Sequence, residues 1–257
     1  IRELAPGINT YLYATNRFDT RLEHPVGGEW GTYYGRKWKV NAKGETVILS
    51  NGQPDYTIGE KIGTVLPKWT GGIFNSFRYK GIDLTFSIDF QKGGLFYSET
   101  RNFNTGAGLS QETVGVNDKG FDWRDYPGAY TLAGGNTGNG GIRIPGAFAD
   151  GTPNNRYISA RSYWYTARQK DAREVLLDAS YIKLRDIRLG YNLPTAFLQK
   201  TKIAKTANIG VIVQNAWLIS DKAKKYGIDP SELEVFYREG GQLSATRQIG
   251  INLRVGF

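Results

Sequence analysis

The residues best suited to contact a ligand lie in one long segment, residues 98–178, between two stretches of strand-like sequence. Its aromatic side chains could stack on sugar rings or grip a peptide, and its arginine and asparagine side chains could donate hydrogen bonds. These candidate ligand contacts are Trp123, Tyr126, Tyr130, Arg143, Asn154, Asn155, Arg156, Tyr163 and Trp164. The alternative interpretation, favoured for any single one of them, is that the aromatic side chains pack the segment against itself.

Catalysis and metal binding find little support in the sequence. The single histidine, His24, lies in a predicted turn, which favours a solvated residue over a triad member or metal ligand. Asp118, Asp122 and Asp125 could bind calcium through carboxylate oxygens, but their spacing is not that of an EF-hand loop. The absence of cysteine excludes disulfides and thiolate chemistry. We therefore predict no enzyme, no catalytic residue and no cofactor, with calcium binding and a hydrolase built on these carboxylates as open alternatives.

The elements that must position the long segment are strands in which apolar and polar residues alternate. Residues 82–90, GIDLTFSIDF from Gly81, keep a period of two, and so do the stretches around 73–79, 207–217 and 248–257. Between the first two stretches, Lys80-Gly81 is short enough for a tight hairpin turn. In SYIKLRDIRLGYNLP the phase changes midway, which predicts a β-bulge near Arg185 and Asp186, and Pro194 then ends the strand.

The connections between predicted strands alternate in length. INTYLYATNRF and GTYYGRKWKV are two further predicted strands, which makes about seven in all. Long loops are predicted near 41–69, 98–178 and 218–243. In an up-and-down sheet alternate connections lie at the same edge, so the long loops share one side, as in outer-membrane barrels.

The strand faces have the composition of a membrane barrel, although alternation alone also fits a soluble sandwich. Polar residues that suit a watery lumen are Asp83, Asp89, Gln214, Asn252 and Arg254. Aromatic residues that suit interfacial girdles are Tyr79, Phe90, Phe96, Tyr97, Tyr191, Trp217 and Phe257. We predict an all-β fold, an antiparallel transmembrane β-barrel segment, with a secreted carbohydrate-binding β-sandwich as the alternative.

The net charge does not indicate a nucleic-acid partner. The chain carries a net charge of +9, but its basic residues are dispersed through turns and loops and form no nucleic-acid motif. We therefore predict no nucleic-acid partner.

Several ordered motifs resemble one family, the SusC/RagA-type TonB-dependent transporters of the Bacteroides group. DASYIKLRDIRLGYNLP resembles a hallmark strand of that family, LPKWTGGIFNSFRYKGIDLTFSIDFQKGG resembles its Pro-x-Trp-x-Gly-Gly and Tyr-Lys-Gly hairpin, and YGIDPSE resembles its acidic loop before the last strand. The matches span about residues 27–257 in the family's own order, which is more specific than any one motif. The chain departs from the family at one motif. The family usually has Gly-Arg-Asn-Leu before the acidic loop, whereas here only the asparagine, Asn215, is kept before YGIDPSE.

The resemblance implies a location and a function. Residues 1–257 would be the carboxy-terminal part of one barrel domain, about seven strands of a plugged barrel of about 22, with the plug domain absent from this chain. That barrel would lie in the outer membrane of a Gram-negative bacterium of the Bacteroidota and import glycans or oligopeptides. Its implied partners are a SusD-like surface lipoprotein, TonB acting through the amino-terminal part, the barrel-assembly machinery, and lipid and lipopolysaccharide.

The last strand has a specific implied role. In outer-membrane proteins a final strand that ends on an aromatic residue is the signal for barrel assembly, and RQIGINLRVGF has that form. The residues of this implied signal are Ile249, Ile251, Leu253, Val255 and Phe257.

Overall fold

The structure, a computed structural model, describes residues 1–127, 138–201, 204–243 and 245–257. The strands are β1 (Thr10–Thr15), β2 (Arg21–Pro25), β3 (Thr32–Trp38), β4 (Val47–Ile48), β5 (Tyr56–Thr64), β6 (Pro67–Tyr79), β7 (Ile82–Gly93), β8 (Leu95–Ser98), β9 (Ala147–Phe148), β10 (Leu176–Asp178), β11 (Tyr181–Asn192), β12 (Thr206–Asp221), β13 (Arg238–Glu239) and β14 (Gln248–Gly256). The helices are α1 (Glu99–Gly106), a π-helix (Ser162–Arg168), α2 (Ala172–Val175) and α3 (Thr195–Thr201), with short 3₁₀ turns at Arg17–Asp19, Gln111–Thr113, Lys224–Tyr226 and Pro230–Glu232. Across these ranges, no helix has the length and apolar character needed to cross a membrane.

The described residues form two compact units. Unit 1 comprises Ile1–Leu66, Leu95–Leu177 and Val235–Gly241, and unit 2 comprises Pro67–Gly94, Asp178–Glu234 and Gln242–Phe257. The predicted strand number of about seven is wrong, because the described ranges contain fourteen strands, several of them only two to four residues long. The missed strand β5 lies within the predicted loop 41–69. Its alternation is hidden because the register of β5 against β3 shifts at two places, which breaks the period of two.

Unit 2 is built on a five-stranded antiparallel sheet in the order β14-β12-β11-β7-β6. The predicted hairpin is confirmed, since Tyr79 pairs with Ile82 across a two-residue turn. Lys80 and Gly81 both adopt positive φ, 47° and 83°, as a type I′ turn requires. The predicted bulge at residues 185–186 is also confirmed, because the register of β11 shifts there against both neighbouring strands.

One face of this sheet is apolar and exposed across all five strands. Leu253, Ile209, Tyr191, Ile82 and Tyr79 are successive cross-strand partners, and each is 39% to 68% exposed. A parallel row of partners runs Ile251, Val211, Leu189, Leu84 and Phe77. The bulge in β11 keeps the apolar residues of both its halves on this face. A soluble sheet would bury such a face under a second layer.

The opposite face is polar and carries a buried ion cluster. Lys183 is 2% exposed, and its Nζ donates to Asp229 Oδ2 at 2.9 Å, to Ser231 Oγ at 3.0 Å and to Glu232 Oε1 at 2.6 Å. Arg185 makes a second ion pair with Glu232. The acidic motif YGIDPSE is thereby attached to the hallmark strand β11, so these two motifs act as one structural unit.

The carboxylate of Asp229 is held ionised by this cluster. Burial alone would raise its pKa, but hydrogen bonds from Ser231 and Lys183 outweigh burial and lower the pKa below the ordinary 3.8.

Unit 1 contains an antiparallel sheet in the order β1-β2-β3-β5 and a separate core. The residues of that core are Leu22, Tyr33, Val65, Tyr97, Ala172, Val175 and Leu176. The assignment of Phe96 and Tyr97 to an interfacial girdle is wrong, because both are 0% exposed. Position near a strand end does not distinguish a lipid-facing aromatic residue from a core residue.

His24 is not the solvated turn residue that the sequence predicted. It lies in β2, is 4% exposed, and its Nδ1 accepts a hydrogen bond from the Gly31 N–H at 2.9 Å. Its ring stacks on Trp30 at a centroid distance of 4.7 Å. A buried imidazole with these contacts has a packing role.

Candidate functional site

Unit 1 contains a cavity of about 910 Å³. This volume lies within the range of 300 to 1,000 Å³ that ligand pockets typically have. Four parts of the chain line it: the 3₁₀ turn that begins at Arg17, helix α1, the loop that follows α1, and residues 159–169 around the π-helix. The long segment predicted to contact a ligand therefore supplies most of this cavity.

Helix α1 is fixed at its start and along its buried side. The Ser98 hydroxyl caps the helix by accepting from the Arg101 N–H at 3.1 Å. The Arg101 guanidinium is buried and forms ion pairs with Glu112 and Glu174. A Cβ on Gly106 would lie 2.2 Å from Gln169 Nε2, so this glycine permits α1 to approach residue 169 closely. The cavity wall formed by α1 is therefore preorganised.

The π-helix supplies the aromatic part of the wall. Such helices are rare and are frequent at functional sites. Trp164 is 7% exposed and lines the cavity, with Tyr163 packed edge-on at a centroid distance of 4.9 Å and Trp123 at 6.1 Å. Burial raises the pKa of the Tyr163 hydroxyl, which keeps it protonated at neutral pH.

Three buried side chains of the wall keep polar atoms without a hydrogen-bond partner among the described residues. These atoms are Asn102 Oδ1, Gln169 Oε1 and Trp164 Nε1. Buried polar atoms are nearly always paired, so a cluster of exceptions marks a strained or functional region.

The cavity lining is positively charged. Arg17, Arg124 and Arg161 line it, and no aspartate or glutamate does among the residues whose positions are described. Arg17 lies over the rings of Phe103 and Tyr165, at 5.2 Å and 5.7 Å from their centroids, and donates to Tyr165 Oη at 3.1 Å. The arrangement can attract and orient a negatively charged group.

The candidate aromatic residues of the sequence analysis come together at this cavity. Tyr126 and Trp164 line it, and Trp123 and Tyr163 contact the Trp164 ring without lining the cavity themselves. Tyr126 is held by its Oη, which donates to the Tyr157 carbonyl at 3.2 Å. Tyr130 lies outside the described residues.

The candidate polar residues lie away from the cavity lining. Asn154 is 2% exposed, and its side chain donates to the Ile144 carbonyl at 2.8 Å and accepts from the Arg156 N–H at 2.9 Å, so it holds a turn. Arg143 pairs with Asp118. Asn155 and Arg156 are exposed on the surface of unit 1. A ligand-donor role for Asn154 does not fit its burial, because both ends of its amide are already used.

The acidic residues do not converge on a common point. Asp118 accepts from Tyr157 and Arg143, and these hydrogen bonds hold its pKa below the usual value. Asp122 Oδ1 accepts from the Arg124 N–H at 2.7 Å, and Asp125 Oδ1 accepts from the Gly138 N–H at 3.0 Å. Among the residues with described positions, no three acidic or histidine side chains are grouped to hold a metal ion.

The arginines of the cavity were missed by the sequence analysis. Arg17 and Tyr165 are 148 positions apart, and no spacing rule connects them. The three arginines occur singly among loop residues, which gives no local signal. Only the fold collects them around one cavity.

Comparisons with known proteins place this architecture. No family model matches the chain. The chain is 26% identical over 202 residues to the TonB-dependent receptor P3 of Formosa agariphila, which covers 79% of this chain and 16% of that protein. The RagAB peptide importer in its open-open state matches with a TM-score of 0.59 at 17% identity, and the closed-closed state with 0.58 at 16%. Each covers 99% of this chain and 25% of the other.

The chain therefore has the fold of part of a TonB-dependent β-barrel transporter. The resemblance to the SusC/RagA type that the motifs predicted is confirmed. The chain spans about a sixth of the curated relative and a quarter of the solved structures that it matches.

Proposed function

We propose that this chain forms barrel wall and loops of an outer-membrane, TonB-dependent importer of glycans or oligopeptides. The observation that carries the proposal is the exposed apolar face that crosses all five strands of unit 2 while the opposite face is polar. Strands with lipid on one side and an aqueous lumen on the other have this pattern. The same face argues against a secreted carbohydrate-binding sandwich, which would cover it.

The whole transporter would act with partners. A SusD-like surface lipoprotein would close over the barrel, and TonB would supply energy through the plug domain. RagAB, whose fold the chain shares, is a peptide importer. The ligand-contacting residues that we retain in the proposal are Trp123, Tyr126, Tyr163 and Trp164. In this proposal the chain performs no bond chemistry.

The last strand would carry the assembly signal. Ile249, Ile251, Leu253 and Phe257 are 65% to 80% exposed, and β14 pairs only with β12 among the described residues. Its other edge would pair with a further barrel strand, because an open edge in hydrocarbon leaves backbone groups without hydrogen bonds at a cost of several kcal/mol each.

Site-specific labelling tests the orientation of the sheet. The chain contains no cysteine, so Leu253→Cys and Asn252→Cys each place one unique label in it. An environment-sensitive dye on residue 253, with the transporter reconstituted in vesicles, should emit as in lipid and be quenched by brominated lipid. The dye on residue 252 should instead be quenched by aqueous iodide. Equal aqueous quenching at both positions would exclude the membrane assignment.

Transport itself is tested in cells that produce the complete transporter. Uptake of labelled glycans or oligopeptides should stop when the proton gradient is dissipated. Uptake that continues unchanged would exclude an energised importer.

A further inference from the structure

We propose that the cavity of unit 1 selects its ligand by charge and receives an oligopeptide with acidic side chains. The proposal rests on the import function above and names the chemical class of ligand that this chain would contact. Three observations support it: the positive charge of the cavity lining, the fixed position of Arg17, and the apolar aromatic residues in the cavity wall.

The lining has one sign of charge. Three arginines and no acidic residue line the cavity, and no ion pair joins Arg17, Arg124 or Arg161 to a carboxylate among the described residues. The nearby glutamates are already used, because Glu112 and Glu174 pair with Arg101, and Glu174 also pairs with Arg168. A cleft lined by uncompensated charge concentrates ligands of the opposite sign. A guanidinium also binds a carboxylate through two parallel hydrogen bonds.

Arg17 is held in place before any ligand binds. Its guanidinium lies 5.4 Å from the centroid of Phe18, in addition to its contacts with Phe103 and Tyr165. The hydrogen bond to Tyr165 Oη restrains it further. A preorganised side chain loses less entropy when it binds, so each hydrogen bond contributes more to affinity.

Arg161 differs from Arg17 in being free to adapt. It is exposed, directly precedes the π-helix, and forms no side-chain hydrogen bond or ion pair among the described residues. It can therefore turn toward a carboxylate that enters the cavity.

The walls favour a peptide over an acidic sugar. A sugar presents many hydroxyl donors, for which carboxylates are the usual acceptors, and among the described residues no carboxylate lines the cavity, while the unpaired acceptors Asn102 Oδ1 and Gln169 Oε1 are buried. Peptide carboxylates and carbonyls are acceptors, which match the arginine donors. Phe103, Tyr126 and Trp164 add apolar surface suited to peptide side chains.

Binding of defined peptides to the detergent-purified transporter tests the proposal. The probes are a fluorescent tetrapeptide with two aspartates and an amidated carboxy terminus, the same amidated peptide with asparagines, the same with lysines, and a tetragalacturonate. Affinity is measured by fluorescence anisotropy at 50 and 500 mM NaCl. A diazirine version of the acidic peptide locates the site, because its crosslinks should map to residues 102–126 and 159–169.

We expect the aspartate peptide to bind at least 10-fold more tightly than the asparagine peptide, with a preference that shrinks at high salt. Arg17→Gln and Arg161→Gln should each weaken it about 10-fold, since each removes a charge-assisted hydrogen bond. Arg161→Lys, which keeps the charge, should retain part of the affinity. Arg2→Gln removes an equal charge from an exposed residue outside the cavity and should have no effect.

Three results would overturn the proposal. The first is equal affinity for the aspartate, asparagine and lysine peptides, and the second is tighter binding of tetragalacturonate, which would assign the cavity to acidic glycans. The third is unchanged affinity in a folded Arg17→Gln, Arg161→Gln double variant. If residue 253 still reports lipid contact in that protein, only the charge-selective cavity fails and the importer function stands.

Discussion

The ion cluster around Lys183 provides the most quantitative prediction. Lys183→Met removes the ammonium and leaves the carboxylates of Asp229 and Glu232 facing an apolar side chain. At the observed 2.9 Å and 2.6 Å, each pair attracts by roughly 6 kcal/mol at an effective dielectric constant of about 20, most of which offsets desolvation. Removal of one partner from a buried cluster typically costs about 3 to 5 kcal/mol. Because the two carboxylates are 15% and 28% exposed and can regain water, we expect about 3 kcal/mol.

Two measurements on the detergent-purified transporter check this value. The free energy of unfolding should fall by about 3 kcal/mol in urea titrations followed by tryptophan fluorescence. Trypsin should also cut faster after Lys224 and Lys225, because the segment that follows loses its attachment to β11. Lys200→Met, an exposed lysine in α3 of the same unit, is the matched control and should change neither.

A double variant separates charge from packing. Lys183→Met combined with Asp229→Asn removes one of the stranded charges, so it should recover about 1 to 2 kcal/mol of the loss. If the double variant is no more stable than the single one, or if Lys183→Met matches Lys200→Met in stability and trypsin resistance, the electrostatic reasoning is refuted.

Three further predictions concern pH, a turn and a buried ring. Because the pKa of Asp229 is lowered in the folded state, its contribution to the free energy of unfolding is complete above the ordinary pKa of 3.8 and is lost as pH falls through the lower folded pKa. Urea midpoints measured from pH 6 to pH 2.5 should show this loss of stability. The Asp229→Asn variant should show a smaller dependence on pH over the same range. Lys80→Asn should stabilise the hairpin by a few tenths of a kcal/mol, since Asn-Gly is preferred in type I′ turns. Gly81→Val should destabilise it by about 1 to 2 kcal/mol, because valine is strained at φ 83°. Both changes are measured as shifts of the urea unfolding midpoint, and equal stability of the two variants would contradict the turn assignment. His24→Leu should cost about 1 to 3 kcal/mol because the buried Gly31 N–H loses its acceptor, and a wild-type midpoint for this variant in thermal unfolding would show that the hydrogen bond is unimportant.

The sequence by itself determined the sheet of unit 2. Alternation with a period of two is a local property, so it identified β6, β7, β11, β12 and β14 and the faces that their side chains occupy. The turn at Lys80-Gly81 and the bulge near Arg185 also have local signals, in residue type and in a change of phase. The ordered motifs, which lie mainly on these strands, were sufficient to indicate the transporter class.

Tertiary structure alone decided which residues are buried and which share a site. Phe96, Tyr97 and His24 have the local sequence of surface or girdle residues, yet they are buried, because burial depends on which distant elements pack on them. Lys183 meets Asp229 and Glu232 across 46 and 49 positions, and Arg17 meets Tyr165 across 148. Periodicity carries no information on such long-range contacts, so the ion cluster and the arginine-lined cavity become visible only once the chain is folded.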